Sequence, residues 1–182
     1  GDIFVDDASQ WRDSDGDGYG DNLLGFEGDA CPSTYGTSSA DRFGCPDSDS
    51  DDWSDDGDAF IDNPLKWSDL DGDGYADNSG APELDLWPND ATQWSDSDSD
   101  GHGDNRYGTL GDHFPDDPTQ WSDMDGDGYG DDPTGNEPDA FTYNPTQWSD
   151  SDGDGWGDNQ SGLQADRFAS EPTQWSDLDG DG

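Results

Sequence analysis

Apolar and polar residues along this chain follow neither periodicity of regular secondary structure. Gly, Pro, Asp and Asn interrupt the sequence every few residues, so no window shows the 3.6-residue period of a helix or the alternation of a long strand. The pattern predicts loops, with at most short extended segments around Asp-x-Phe-Pro and Thr-Gln-Trp. A single helical turn is expected where Asp or Asn precedes Pro-Thr-Gln. No run of 18 apolar residues occurs, so no membrane insertion is expected.

Tryptophan recurs at a fixed interval, which is typical of a repeat protein. A spacing of 27 residues separates Trp67, Trp94, Trp121, Trp148 and Trp175. Trp11 opens an earlier unit 56 residues before Trp67, and both cysteines lie in that interval. The predicted divisions are the end of a preceding repeat at 1–10, a divergent double unit at 11–66, repeats at 67–93, 94–120, 121–147 and 148–174, and a truncated repeat at 175–182. The first residues match the second half of a unit and the last lie within a loop, so we expect a slice of a longer array.

Composition excludes an ordinary hydrophobic core. Only 26% of the residues are apolar, against about 45–50% in typical domains, which is too few to offset the entropy of ordering the chain. The 48 acidic and five basic residues give a net charge of −43, so a compact state needs cations to neutralise its self-repulsion. The same imbalance excludes nucleic acid as a partner.

An acidic disordered tail is the other state that this composition allows. Against it, 44 of the acidic residues are Asp and only four are Glu, and aromatic residues make up 12% of the chain. Asp is the residue of turns and calcium loops, whereas disordered solvating segments favour Glu. The fold class expected is a repeat array with little regular secondary structure, in which Ca-stabilised loops in ~27-residue units form an elongated rod or fibre.

The units follow, with substitutions at single positions, the pattern Trp-Ser-Asp-x-Asp-Gly-Asp-Gly-aromatic-Gly-Asp-Asn, whose acidic loop we number from its first Asp. In the first loop Asp13, Asp15, Asp17, Tyr19 and Asp21 occupy positions 1, 3, 5, 7 and 9. These positions supply oxygen ligands in an EF-hand loop, position 7 through its backbone carbonyl, and a glycine at position 6 permits the turn. The later sets are Asp47, Asp49, Asp51, Trp53 and Asp55; Asp69, Asp71, Asp73, Tyr75 and Asp77; Asp96, Asp98, Asp100, His102 and Asp104; Asp123, Asp125, Asp127, Tyr129 and Asp131; Asp150, Asp152, Asp154, Trp156 and Asp158; and the incomplete Asp177, Asp179 and Asp181.

Oxygen ligands alone favour Ca²⁺ over Zn²⁺ or copper, with Mg²⁺ left open. An EF-hand proper is not predicted, because position 12 of the first loop is Leu24 and no flanking helices are expected. The missing ligand is expected from an Asp 16 residues after position 1. These downstream aspartates are Asp29, Asp85, Asp112, Asp139 and Asp166, while the divergent loop has Asp58 at position 12 itself. One ion per loop is expected, and a second ion per unit stays open.

A further polar residue precedes position 1 by six. This upstream group consists of Asp7, Asn63, Asp90, Asp117, Asn144 and Glu171. Its members either cap a turn or bind the ion, and the sequence does not decide between the two.

The aromatic residues are expected to pack within and between neighbouring units, with carbohydrate stacking as the alternative. Cys31 and Cys45 are expected to form a disulfide, which fits a secreted protein. Asn159-Gln160-Ser161 is a glycosylation sequon on the variable part of a unit. No arrangement of Ser, His and Asp typical of a hydrolase occurs, and His102 and His113 have no nucleophile nearby in sequence, so no enzyme is expected.

The run Asp-x-Asp-Gly-Asp-Gly-Tyr-Gly-Asp-Asn, with the segments 28–32 and 44–49 around the cysteines, resembles thrombospondin type 3 repeats, in particular those of prokaryotic surface proteins. The resemblance implies an irregular fold wrapped around a string of Ca²⁺ ions and used as a stalk or matrix element. The steady 27-residue unit with Trp departs from that family. The expected function is a structural rod, stalk or filament at the cell surface or outside the cell, rigidified by Ca²⁺ and associating with itself into a fibre or with neighbouring repeats. The alternative is a calcium-dependent adhesion or glycan-binding module.

Overall fold

The computed structural model describes residues 2–178 and 180. Over this range the chain forms turns and bends, with no helix and no strand longer than a single bridge, which confirms the prediction of a loop-rich chain. No part of it forms a helix long and apolar enough to cross a membrane. The isolated parallel bridges are Gly20 with Gly28, Ala76 with Leu84, Gly103 with Gly111, Gly130 with Pro138, and Gly157 with Ala165. They join positions 8 and 16, counted from the first Asp, in the five regular loops, rather than the segments expected to be extended.

The chain divides into two compact units, Gly1–Ala91 and Thr92–Gly182. Each of these two compact units is larger than a single repeat and contains several acidic loops together with the segments that follow them. The finer repeat boundaries expected from the Trp spacing stay a prediction.

The segment between each downstream aspartate and the next Trp consists of consecutive hydrogen-bonded turns. In residues 139–147 the amide of Asn144 donates to the carbonyl of Phe141 at 2.7 Å, and the amide of Gln147 donates to the carbonyl of Asn144 at 2.9 Å. The expected helical turn is therefore only a turn.

A buried glutamine takes the place of a hydrophobic core beneath four of the loops. The Gln120 amide nitrogen donates to the carbonyls of Asp132 and Asn136, both at 3.0 Å, and its oxygen accepts from the amide of Asp132 at 2.9 Å. Gln10, Gln93 and Gln147 make the same three contacts, and all four side chains are 2% exposed or less. A buried amide satisfied in this way is favourable. Among the described residues the only buried hydrophobic side chains are Cys45 and Ala76.

Glycines at positions 8 and 13 make room for this glutamine. A Cβ added at Gly130 or Gly135 would overlap the side chain of Gln120. In the repeat where Lys66 replaces the glutamine, both glycines become alanines, Ala76 and Ala81.

Lys66 makes contacts of a different kind from those of the glutamines. It is 8% exposed, its ammonium lies 3.7 Å from the Glu83 carboxylate, and it sits 5.6 Å from the centre of the Phe60 ring. The residue beneath the loop and its two small neighbours therefore differ together in this repeat, where Lys66, Ala76 and Ala81 replace a glutamine and two glycines.

Aromatic stacks link one loop to the Trp that opens the next. The ring centres of Tyr129 and Trp148 are 5.0 Å apart and nearly parallel. The same arrangement pairs Trp53 with Trp67, His102 with Trp121, and Trp156 with Trp175. His102 thus has a packing role, and the rings contact one another as the repeat predicts.

Candidate metal centres

The carboxylates at positions 1, 3 and 5 converge into compact groups that could hold a metal ion. Within each group one oxygen per residue lies within 4.8 Å of the others. Six such groups occur in the described residues, and five of them are Asp13, Asp15 and Asp17; Asp47, Asp49 and Asp51; Asp69, Asp71 and Asp73; Asp96, Asp98 and Asp100; and Asp123, Asp125 and Asp127.

Backbone amides fix these carboxylates from inside the loop. Asp123 accepts from the amides of Gly126 at 2.7 Å and Gly128 at 3.1 Å, one on each oxygen. The Oδ1 atom of Asp125 accepts from the amide of Asp127 at 3.2 Å, and the Oδ1 atom of Asp127 accepts from the amide of Tyr129 at 3.0 Å. The same network recurs in the loops that begin at Asp13, Asp69, Asp96 and Asp150. One oxygen of each carboxylate at positions 3 and 5 thereby supports the loop, which turns the other oxygen away from these amides.

Many of these second oxygens are buried without a donor. We call a buried carboxylate oxygen that accepts no hydrogen bond from any described residue an open oxygen. The Oδ2 atoms of Asp125 and Asp127 are open oxygens, as are their counterparts in most other loops. The first loop is an exception at position 5, because Asp17 accepts from the amide of Gly36 at 3.2 Å. Burying a carboxylate oxygen is costly unless a cation or a donor meets it.

The downstream aspartate adds one more such oxygen to each regular loop. Asp139 is 5% exposed, its amide donates to the carbonyl of Gly130 at 2.7 Å, and its Oδ1 accepts from the amide of Phe141 at 2.7 Å. Its Oδ2 is an open oxygen. Equivalent residues, each 5% exposed or less with an open Oδ2, are Asp29, Asp85, Asp112 and Asp166.

The charges of the loop act on this downstream aspartate. Burial, followed by the charges of Asp127, Asp125 and Asp131, raises the pKa of Asp139 to about 6. Burial and the charges of Asp17, Asp15 and Asp21 likewise raise the pKa of Asp29 to about 6. A carboxylate with this environment is expected to gain most from a bound cation.

Asp58 belongs with the downstream aspartates, although the sequence puts it at position 12 of its loop. Its Oδ1 accepts from the amide of Phe60 at 2.6 Å, the contact that Asp139 makes with Phe141. Burial and the charges of Asp51, Asp49 and Asp47 raise its pKa. The divergent loop therefore brings its downstream carboxylate from a shorter distance along the chain.

The carboxylate at position 9 closes the loop. The amide of Asp104 donates to the carbonyl of Ser95 at 2.8 Å, while its carboxylate accepts from the Ser97 amide at 2.9 Å and from both serine hydroxyls at 2.7 Å. Asp104 is thus held across the mouth of its loop, with its two oxygens engaged by protein donors.

The upstream group makes the hydrogen bonds of turn caps. Asp117 accepts from the amide of Thr119 at 3.0 Å and from its hydroxyl at 2.7 Å, and these bonds, the hydroxyl first, lower its pKa. Asp7, Asn63 and Asn144 each accept from the amide two residues further on. Of the two roles that the sequence left open, these contacts support capping.

Two further sequence features have defined places. The structure contains the expected disulfide between Cys31 and Cys45. The amide nitrogen of Asn159, in the glycosylation sequon, donates to the carbonyl of Thr146 at 2.8 Å.

In the last loop Asp177 accepts from the amide of Gly180 at 2.7 Å, as position 1 does elsewhere, while Asp179 and Asp181 lie outside the described residues.

Comparisons with protein-family models and with curated proteins find no match to this chain. The resemblance to thrombospondin type 3 repeats therefore rests on the acidic motifs and the segments around the cysteines.

Proposed function

We propose that this protein is an extracellular structural calcium-binding repeat protein, a rod, stalk or filament component that Ca²⁺ folds and stiffens. The observation that carries the proposal is the downstream aspartate, which is buried with an open oxygen and experiences the charges of the loop carboxylates. While these carboxylates are ionised, such a set is destabilising unless a cation meets it. We also propose that the loops belong to the thrombospondin type 3-like group.

Calcium suits the ligands better than other metals do. The groups at positions 1, 3 and 5 contain only Asp, and hard oxygen ligands in irregular loops favour Ca²⁺ over Zn²⁺ or copper. The residues that would hold the ion in the loop of residues 123–139 are Asp123, Asp125, Asp127, Asp131 and Asp139, with the backbone carbonyl of Tyr129. Extracellular calcium is concentrated enough to fill sites of modest affinity, and the disulfide is compatible with that location.

Native mass spectrometry of the intact protein tests the metal assignment. We expect at least one Ca²⁺ per complete loop, and one fewer tightly bound ion in Asp139→Asn. The matched control is Asp116→Asn, which removes an acidic residue next to the capping residue Asp117 and outside the loops; it is expected to leave the count unchanged. A chain that binds no calcium, or loses no ion in Asp139→Asn, would contradict the assignment.

Electron microscopy tests the structural role. Extended particles of uniform width with calcium, and irregular particles after chelation, are the expected result. The alternative, a calcium-dependent adhesion or glycan-binding module, would use exposed rings such as Tyr107 and Tyr143, which are 82% and 79% exposed. Calcium-dependent binding on a glycan array would favour that alternative.

A further inference from the structure

The position-9 carboxylate makes its hydrogen bonds in one of two arrangements, and the arrangement correlates with whether position 2 is serine or an apolar residue. Four loops have serine there, namely Ser14, Ser48, Ser97 and Ser151, whereas Leu70 and Met124 occupy that position in two others. The loops of Asp123 and Asp150 are a matched pair, because both have glycine at positions 4 and 6 and both lie within Thr92–Gly182.

In the serine class the position-9 carboxylate uses both of its oxygens. Asp158 accepts from the amide of Ser151 on Oδ1 at 3.3 Å. Its Oδ2 accepts from the hydroxyls of Ser151 at 2.6 Å and Ser149 at 2.9 Å. Asp21, Asp55 and Asp104 likewise accept the amide on one oxygen and the position-2 hydroxyl on the other.

In the apolar class, where Leu70 or Met124 occupies position 2, a single oxygen of the position-9 carboxylate accepts all of its hydrogen bonds. Asp131 accepts from the amide of Met124 at 3.1 Å and from the hydroxyl of Ser122 through the same Oδ2 atom, so its Oδ1 is an open oxygen. Asp77 does the same with Leu70 and Ser68, and its Oδ1 is also open.

The side chain at position 2 does not cover the site. Met124 is 61% exposed and Leu70 is 69% exposed. The two classes therefore differ in the hydroxyl that serine supplies and the other side chains lack, and not in shielding of the loop from water.

The loops consequently differ in how many open oxygens they offer. Within the described residues, the loops of Asp69 and Asp123 have four each, those of Asp96 and Asp150 have three, and those of Asp13 and Asp47 have two. In every regular loop one of these belongs to the downstream aspartate, which is at least nine-tenths buried.

We infer that the residue at position 2 sets the calcium affinity of each loop, so that the Asp69 and Asp123 loops fill first, the other loops follow at higher calcium, and the chain orders in steps. The inference rests on the proposed calcium function. An additional anionic ligand strengthens a calcium site, and we expect a difference on the order of tenfold between the classes.

Residue-resolved NMR of the full chain during calcium titration tests this inference. The position-6 amides report on individual loops, because Gly128 and Gly155 donate to the position-1 carboxylate at 3.1 Å and 2.8 Å. We expect the Gly128 resonance to shift at about one-tenth of the free calcium that shifts Gly155. Met124→Ser should move the Gly128 midpoint towards that of Gly155, and Ser151→Ala should move the Gly155 midpoint towards that of Gly128.

Ser151→Thr is the matched control, since it keeps the hydroxyl and should leave the Gly155 midpoint unchanged. Equal midpoints in the wild type, or midpoints that do not respond to Met124→Ser and Ser151→Ala, would overturn the inference while leaving calcium binding intact. The absence of any shift with calcium would instead contradict the proposed function itself.

Discussion

The loop of Asp47 and the loop of Asp123 close in the same way on different scaffolds. In both, position 1 accepts amides from positions 4 and 6, and position 5 accepts the amide of position 7. Beneath the Asp123 loop lies Gln120, whereas next to the Asp47 loop lie the Cys31–Cys45 disulfide and the buried Ser38.

The loops also differ in the residues that turn them. Gly126 and Gly128 have φ of 81° and 94°, while Ser50 and Asp52 adopt φ of 68° and 79° at the same positions. The spacing of the aspartates therefore determines the loop, even where a side chain is strained, and the supporting residues can be exchanged.

Removing the disulfide should destabilise only the divergent segment. Cys31→Ser with Cys45→Ser is expected to cost about 3 kcal/mol in the calcium-loaded protein, because the open chain gains entropy. Hydrogen exchange followed by mass spectrometry should show lost protection in residues 30–58 and unchanged protection in residues 121–147. Equal loss in both regions would show that the scaffolds are not independent.

Gly130→Ala should destabilise the regular repeat by about 2 kcal/mol, because the new Cβ displaces Gln120 from its three hydrogen bonds. Gln120→Lys combined with Gly130→Ala and Gly135→Ala copies the arrangement around Lys66 and should recover part of that loss. Thermal unfolding in saturating calcium measures both. The control is Ala76→Gly, which opens space without displacing a partner and should cost less than 1 kcal/mol by the usual Ala-to-Gly difference of roughly 0.5–1 kcal/mol.

Relief of strain should stabilise the divergent loop. Asp52→Gly is expected to raise its stability by about 1 kcal/mol, because glycine adopts positive φ without the clash of a Cβ. Gly128→Asp should have the opposite sign in the regular loop. Denaturant unfolding of the two variants provides the comparison, and the same sign for both would show that position 6 has a different role in the two loops.

Acid should weaken calcium binding through the downstream aspartates. The pKa of Asp139 is raised from 3.8 to about 6, so the metal-free folded chain retains a proton that the unfolded chain has released in this interval. Stability without metal should fall as pH rises from about 4 to about 6, while calcium affinity should rise over the same window and then level off. Calorimetric titrations at several pH values check this, and Asp139→Asn should flatten the profile. An affinity independent of pH between 5 and 7 would mean that these carboxylates do not meet the ion.

The sequence was sufficient to predict the irregular fold, the disulfide and the compact acidic groups, since each follows from spacing that is visible along the chain. The glutamine core was missed because a side chain that bonds to backbone groups leaves no hydrophobic pattern. The recurrence of Thr-Gln-Trp, with the joint change to Lys66, Ala76 and Ala81, was the signal that could have revealed it.

Phe43 could not be placed from the sequence, and Asp58 was assigned to position 12 rather than to the downstream aspartates, because both residues fall outside the regular spacing. Phe43 lies 5.6 Å from Tyr19, the contact that a Trp makes elsewhere, and its carbonyl accepts from the amide of Ala30. The path of the chain in the divergent segment brings Phe43 to the place that a Trp occupies in the regular repeats, and Asp58 to the place of the downstream aspartate.

Calcium removal tests the central claim most directly. The stacks that join Tyr129 to Trp148 and Trp156 to Trp175 make tryptophan fluorescence a reporter of the order between successive loops. On addition of EGTA, the account predicts a shift to the emission of solvated tryptophan together with a change in circular dichroism, both reversed by excess calcium. Spectra that stay the same after EGTA would contradict it.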